Sequence, residues 1–219
     1  MTPSQLTSIL NKFLSDLQLS TNYSWPTNFS NDLLKFMKHL LKWNKKIRLT
    51  GAKNLQELLE RHILDSLHGL TILEDIKENE IIMDIGSGGG FPAFPLALAR
   101  PDLHWHLIES HKRRTAFLQQ TQLLLQLPNL KLHPVRMEGD PAKENLPTNC
   151  QCLLFRAVAP DSLLPHLHLY MKNQSKIIYW ATSSFKATHT PSLEHLKNIP
   201  YTLPQGEKFQ LCVFAKKIT

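Results

Sequence analysis

Gly86, Gly88, Gly89 and Gly90 crowd into one short stretch, behind the apolar run Ile81-Ile82-Met83-Asp84-Ile85 and ahead of Phe91-Pro92, and together can cradle a small molecule. Glycine adopts positive φ and leaves no Cβ between backbone and ligand, while proline suits the first turn of a following helix. A dinucleotide loop wants glycine at its first, third and sixth positions, and the sixth counted from Gly86 is Phe91, which weakens a pyrophosphate reading. What remains is Gly86-x-Gly88-x-Gly90, preceded by Asp84 and followed about twenty residues on by Glu109 at the end of a second apolar run. In a doubly wound sheet that acid stands at the carboxyl end of a strand, where it can accept hydrogen bonds from a ribose diol.

Further along, Met137 and Glu138 suit an adenine site, a thioether packing the ring and polar groups reading its edge. Arg156 closes a central apolar strand and can reach a base oxygen, a phosphate or a carboxylate, or simply form a structural ion pair. Lys42, Lys45, Lys46, Arg48 and Lys53 surround Trp43, and Lys112, Arg113 and Arg114 open a helix, so two basic segments flank the glycine loop in sequence. Cations at a helix start oppose its dipole and suggest an external anion, against the plain alternative of a solvated face. Arg61 and Asp65 share one helix face at ion-pair spacing, as do His62 and Ser66. The eleven histidines form no coherent ligand set, so no metal is expected.

The elements that must position these groups fall into two grammars. Apolar residues at Leu6, Ile9, Leu10, Phe13, Leu14 and Leu17, then from Leu33 to Leu41 behind a Ser30 cap, then from Leu55 to Leu70 behind an Asn54–Glu57 capping box, predict helices. From Ile81 short strands alternate with helices: strands at Ile81–Ile85, Leu103–Glu109, Leu130–Val135, Cys152–Phe155 and Lys176–Ala181, helices at Pro92–Ala99, His111–Leu127 and Ser162–Met171. A hairpin of Pro200–Leu203 and Phe209–Ala215 closes the sheet with an antiparallel edge. The expectation is an α/β, Rossmann-like sheet of about seven strands, residues 76–219, with a helical extension over residues 1–75 packed on it.

The 219 residues, 42% hydrophobic, suffice for one full core with a small appended bundle. A net charge of +7 favours a polyanionic partner. Cys150, Cys152 and Cys212 read as buried free thiols of a reducing compartment. No apolar run approaches the ~20 residues that span a bilayer, and no secretory leader opens the chain, so a cytoplasmic monomer without membrane association is expected.

Asp84-x-Gly86-x-Gly88-x-Gly90 resembles motif I of S-adenosylmethionine-dependent methyltransferases. Leu41 to Thr50 with Trp43-Asn44-Lys45-Lys46, then Arg61-His62-Ile63-Leu64-Asp65-Ser66, resembles the amino-terminal region of the RsmG family, also called glucose-inhibited division protein B. Asp84 to Pro92, Glu109-Ser110, Lys112-Arg113, Phe117-Leu118 and Arg156-Ala157 extend that likeness over nearly the whole chain, strongest from Lys42 to Leu118. The resemblance implies a class I methyltransferase that moves a methyl group from S-adenosylmethionine to N7 of one guanine in small-subunit (16S) ribosomal RNA, acting on that RNA or on the small ribosomal subunit. It implies cofactor contacts at Gly86, Phe91, Met137, Glu138 and Arg156, to which the loop and strand-end reading adds Gly88, Gly90 and Glu109. Arg61 and His62 become a wall of the cleft, Arg156 and His62 positioning candidates, and Lys45, Lys46, Arg48, Lys112 and Arg113, with Arg61 and His62, the RNA contacts. The chain departs from the family at Ala93, at Phe155, where Ser usually precedes the Arg, and at Trp180-Ala181-Thr182-Ser183, which replaces a segment normally ending Lys-Gly. Those departures motivate a rival reading, a cofactor-binding protein that docks RNA without reacting; a methyltransferase for a small molecule or protein is the other.

Overall fold

The computed structural model describes residues 1–17, 19, 23–186 and 191–217, with the backbone alone for 161 and 162. The amino-terminal part is helical: α1 (Pro3–Asp16), α2 (Phe29–Asn44), α3 (Leu55–Leu58), a π turn over Leu59–Ile63, α4 (Leu64–Leu67) and α5 (Leu70–Leu73). Then come β1 (Ile81–Ile85), α6 (Ala93–Ala99), β2 (His104–Ile108), α7 (Lys112–Leu125), β3 (Leu130–His133), α8 (Pro141–Glu144) and β4 (Cys150–Arg156). The chain continues through α9 (Pro160–Leu167), a short 3-10 turn, β5 (Met171–Thr182), β6 (Leu193–Thr202) and β7 (Lys208–Lys216).

The seven strands lie in the order β3-β2-β1-β4-β5-β7-β6. β1 to β5 run parallel and β7 is antiparallel to both its neighbours. Because β1 pairs with β2 on one side and β4 on the other, the order reverses there, and the carboxyl ends of β1 and β4 open the crevice where ligands of such sheets bind. The near-continuous apolar runs of β1 and β4 follow from burial on both faces. One face packs with α1, α2, α6, α7 and the segments of α3 to α5 in a single apolar cluster running from Leu6 to Val213. Leu153, Phe155, Leu164, Leu167, Tyr170 and Phe214 fill the other. Cys150, Cys152 and Cys212 are buried free thiols. No helix among the described residues is long and apolar enough to cross a membrane.

Several local expectations are corrected. α2 starts at Phe29 with Asn28 at its cap; the Ser30 hydroxyl lies inside the helix and meets Thr7 Oγ1 at 2.8 Å, joining α1 to α2. The third helix is broken into pieces by the π turn. Asn54 does accept from Glu57 N at 2.9 Å, but the returning Glu57 carboxylate takes the Lys53 N–H at 3.0 Å, one residue before the cap. β6 begins seven residues before Pro200. Most of its residues are exposed, so no apolar alternation marks it, and as the edge strand it tolerates Pro200, which has no N–H to donate. α8 is a single turn opened by Asp140-Pro141, too short for a periodic signal.

Candidate cofactor and substrate site

At the end of β1 the chain turns under the backbone of β2: Gly86 N and Ser87 N both donate to Ile108 O, at 2.9 and 3.0 Å. Gly86, Gly88 and Gly90 hold φ of +74°, +53° and +83°. A Cβ on Gly86 would lie 2.7 Å from Val158 Cγ2 and one on Gly90 would collide with the Phe94 ring, so these two are demanded by packing as well as by φ. Gly88 faces open space, with nothing nearer its Cβ position than Gly86 O at 3.6 Å. Glu109, buried at the end of β2, holds the loop: its carboxylate accepts from Gly88 N at 2.9 Å and His111 N at 2.7 Å. Each carboxylate oxygen keeps a second lone pair, so hydroxyl donors can still be received there.

Two clefts meet over this loop. One, of about 370 Å³, is lined by Gly86, Ile108, Glu109, Ser110, Met137, Glu138, Val158 and Leu163. The other, of about 430 Å³, is lined by Leu49, His62, Gly86, Gly88, Phe91, Glu109, Arg114 and Arg156. Gly86, Glu109, Ser110 and Val158 belong to both. The Met137-Glu138 segment is anchored from behind by Glu144, whose carboxylate accepts from Glu138 N at 2.5 Å and from the Tyr170 hydroxyl at 2.5 Å. Gly90 lies on the helix side of the loop, facing Phe94.

Arg156 is the most heavily engaged group of the second cleft. Its Nε meets Asp65 Oδ2 at 3.0 Å, and Nη2 donates to His62 Nδ1 at 3.0 Å and to Arg61 O at 3.3 Å. The structural ion pair is therefore present, with Asp65 as its partner. Nη1 is nonetheless buried without a hydrogen-bond partner among the described residues, and a buried charged donor left unmet costs about 1–3 kcal/mol or more. His62 accepts from Arg156, so its other nitrogen carries the proton and donates to Thr50 Oγ1 at 2.6 Å. Burial, Arg156 and Arg61 push the His62 pKa down to about 3, and the neutral ring stacks on Phe91 with centroids 5.0 Å apart. Phe91 also meets Phe36 edge-on at 5.5 Å and lies 5.9 Å from the Arg156 guanidinium carbon, so it packs three elements together while lining the cleft. Beneath the loop Asp84 is fully buried, and among the described residues neither carboxylate oxygen has a partner within hydrogen-bond geometry; burial pushes its pKa up to about 7, with nearby Ser87 acting against the rise and Glu109 adding to it.

Arg61 does not pair with Asp65. Arg61 lies within the π turn, whose i→i+5 bonding takes more residues per turn than an α turn and so shifts the i,i+4 register, and it reaches instead to Glu207 in the β6–β7 connection, at 2.8 Å. Lys45, Lys46 and Arg48 are exposed on the link after α2, and Lys112 and Arg113 on the first turn of α7, where no side chain caps the helix. The two basic segments are neighbours in space: Trp43 meets Phe117 edge-on at 5.8 Å and His39 stacks on Phe117 at 5.7 Å. Leu49 O lies 3.2 Å from the Cβ position of Gly89, so the basic link runs over the lip of the glycine loop. The sequence reading missed Thr50, Leu49, Glu144 and Tyr201 as contributors. Only Leu49-Thr50 carried a signal, by adjacency to the basic run.

The residues present fit an amino-acid nucleoside. A buried guanidinium nitrogen without a partner suits a carboxylate, a strand-end carboxylate suits a diol, and an apolar slot beside Met137 suits a purine.

This strand order, with its antiparallel seventh strand and a glycine loop at the reversal, is the Rossmann-like sheet of class I methyltransferases. Solved structures of that fold superpose on it: a SAM dependent methyltransferase from Aquifex aeolicus at TM-score 0.53 and 13% identity, covering 80% of this chain and 98% of that one. A precorrin-6y C5,15-methyltransferase from Geobacter metallireducens does so at TM-score 0.51 and 11% identity, covering 78% and 92%. The family model described as rRNA small subunit methyltransferase G matches residues 30–190, and the chain belongs to that family. Among relatives, a protein of Helicobacter hepaticus named Ribosomal RNA small subunit methyltransferase G is 37% identical over 159 residues, 72% of this chain and 82% of its own. Its namesake from Nitrosococcus oceani is 41% identical over 106 residues, which span about half (48%) of each chain.

Proposed function

We propose that this protein transfers the methyl group of S-adenosylmethionine to N7 of a guanine in small-subunit ribosomal RNA. Family membership supports the reaction and substrate class, and one structural observation supports the site: the family's motif residues Gly86, Phe91, Met137, Glu138 and Arg156 line adjoining clefts at the carboxyl ends of β1 and β4. Residues 76–219 form the catalytic unit in this reading and residues 1–75 its helical wall, working as one chain where ribosomes are made, in the cytoplasm.

Bound S-adenosylmethionine supplies a sulfonium-activated methyl group. In this reading Met137 and Glu138 receive the adenine, Glu109 the ribose hydroxyls, and Gly86 and Gly88 let the backbone come close. Arg156 Nη1 receives the amino-acid carboxylate or an oxygen of the target. Guanine N7 has a free lone pair at neutral pH, so no side chain has to remove a proton, and the protein's contribution is orientation, which can reach ~7–11 kcal/mol in favourable cases. An Arg fork over O6 and N7 would occupy the nucleophile, which restricts any Arg near the base to other atoms. His62, neutral, gives Arg156 an acceptor without adding a second positive charge to the cleft. The apolar rings of Phe91 and Phe36 help exclude water. The basic lip of Lys45, Lys46, Arg48, Lys112 and Arg113 supplies phosphate contacts.

The test is incubation of small subunits lacking the modification with methyl-labelled S-adenosylmethionine. Label in small-subunit RNA supports the reading; label only in protein or a small molecule, or none, rejects it.

A further inference from the structure

We infer that Asp65 and Tyr201 are positioning residues that fix the Arg156 guanidinium in its working pose. The inference deepens the function proposed above and rests on its assignment of Arg156 to the cleft. Asp65 stands on α4, and its side chain is only 4% exposed. Its two carboxylate oxygens are divided between two donors from different strands. Oδ1 accepts from the Tyr201 hydroxyl of β6 at 2.5 Å, and Oδ2 faces Arg156 Nε of β4 at 3.0 Å. The Asp65 backbone is held as well, its carbonyl accepting from the Trp180 indole N–H of β5 at 2.8 Å. Tyr201 itself is set by His68, whose ring stacks on the phenol with centroids 3.9 Å apart. Tyr201 thus constrains Asp65, and Asp65 constrains Arg156, across 136 residues of sequence.

Two features separate orientation from a plain tertiary staple. A buried ion pair is a poor source of stability, since desolvation offsets most of its attraction. A staple would also satisfy the guanidinium, whereas here Nε and Nη2 are engaged and Nη1, in the residue that lines the cleft, is left buried without a partner among the described residues. Fixing two of the three nitrogens determines where the third lies, because the guanidinium is planar and rigid. Tyr201 lies outside the residues 30–190 matched by the family model.

A double-mutant cycle on the full chain tests this. Tyr201→Phe keeps the ring and its stack on His68 while removing the hydroxyl, and is paired with Arg156→Ala, alone and combined. Each variant is followed by kcat and KM for S-adenosylmethionine on small subunits, by calorimetric cofactor affinity and by thermal unfolding. The inference expects Tyr201→Phe to lower kcat/KM roughly tenfold in the native background, within the range for partners in one hydrogen-bonded network, and to change it less than about twofold once Arg156 is gone. Additive losses in the two backgrounds, or a fall in melting temperature with kcat/KM unchanged, overturn it and leave Tyr201 a structural contact. Should Tyr201→Phe not fold, Asp65→Asn, which keeps the shape and the acceptor for Tyr201, is run through the same cycle with the same two outcomes. If Arg156→Ala alone changes neither turnover nor cofactor affinity, the assignment of Arg156 to the cleft has failed, and the inference with it. If Arg156→Ala is impaired and Tyr201→Phe is neutral, only the clamp has failed.

Discussion

Gly88 and Gly90 share a backbone region but answer to different constraints, and substitution separates them. A Cβ on Gly90 runs into Phe94 on α6, and the backbone there holds φ of +83°, which a side chain disfavours, so Gly90→Ala should cost the fold about 1–3 kcal/mol, read as a lower melting temperature without any ligand. Gly88 has room for a side chain but not a relaxed φ for a branched one, so Gly88→Val should leave a folded protein that no longer binds S-adenosylmethionine. Calorimetry on the folded variant checks this, and unchanged affinity would move the cradle elsewhere. The glycine loop, Glu109 and Arg156 were legible in the sequence because each sits at a strand end whose apolar run announces it. The Asp65–Tyr201 contact was not, since it depends on a π turn that no periodicity encodes and joins residues far apart in the chain. The same turn undid the Arg61–Asp65 pair that a regular helix implied.

At the scale of elements, the packing of α2 on α7 through Trp43, His39 and Phe117 brings two basic segments to one lip of the clefts. If Lys45, Lys46 and Arg48 touch phosphate, replacing all three with Ala should leave cofactor affinity unchanged and flatten the slope of log K for subunit binding against log salt by roughly 0.7–0.9 for each phosphate no longer neutralised. Truncating Arg156 should lower turnover or cofactor affinity and leave that slope alone. An unaltered slope in the triple variant would assign the lip to ordinary solvated surface. β1, β2 and β4 were readable from their doubly buried apolar runs, whereas β6 hid its first residues because an edge strand with most side chains in solvent needs no pattern. α2 and α7 were readable as helices, but their mutual packing was not, because Trp43 and Phe117 each look like core residues with any partner.

For the whole molecule, the helical wall and the sheet share one apolar cluster, and partial burial along that junction lowers the pKa of His39, His62 and His68. Burial lowers the His68 pKa to about 4 from its ordinary 6.5. The unfolded chain therefore binds the extra proton in that window, so the contribution of His68 is full above pH 6.5 and is lost as pH falls toward 4. His68→Phe, which keeps a ring against Tyr201 and Phe13, should gain on the native protein by up to about 1.4 kcal/mol per pH unit on acidification through that range, checked by denaturant unfolding at several pH values. A difference independent of pH would mean that the ring takes up its proton in the fold as readily as in the unfolded chain. All of this serves one reaction, and nucleoside mass spectrometry tests it most directly: small-subunit RNA from subunits lacking the modification is digested before and after treatment with this protein and S-adenosylmethionine. The account predicts that 7-methylguanosine is formed at one guanine per subunit and is lost in the Arg156→Ala variant. A methyl group on any other atom, on another RNA, or on none would contradict it.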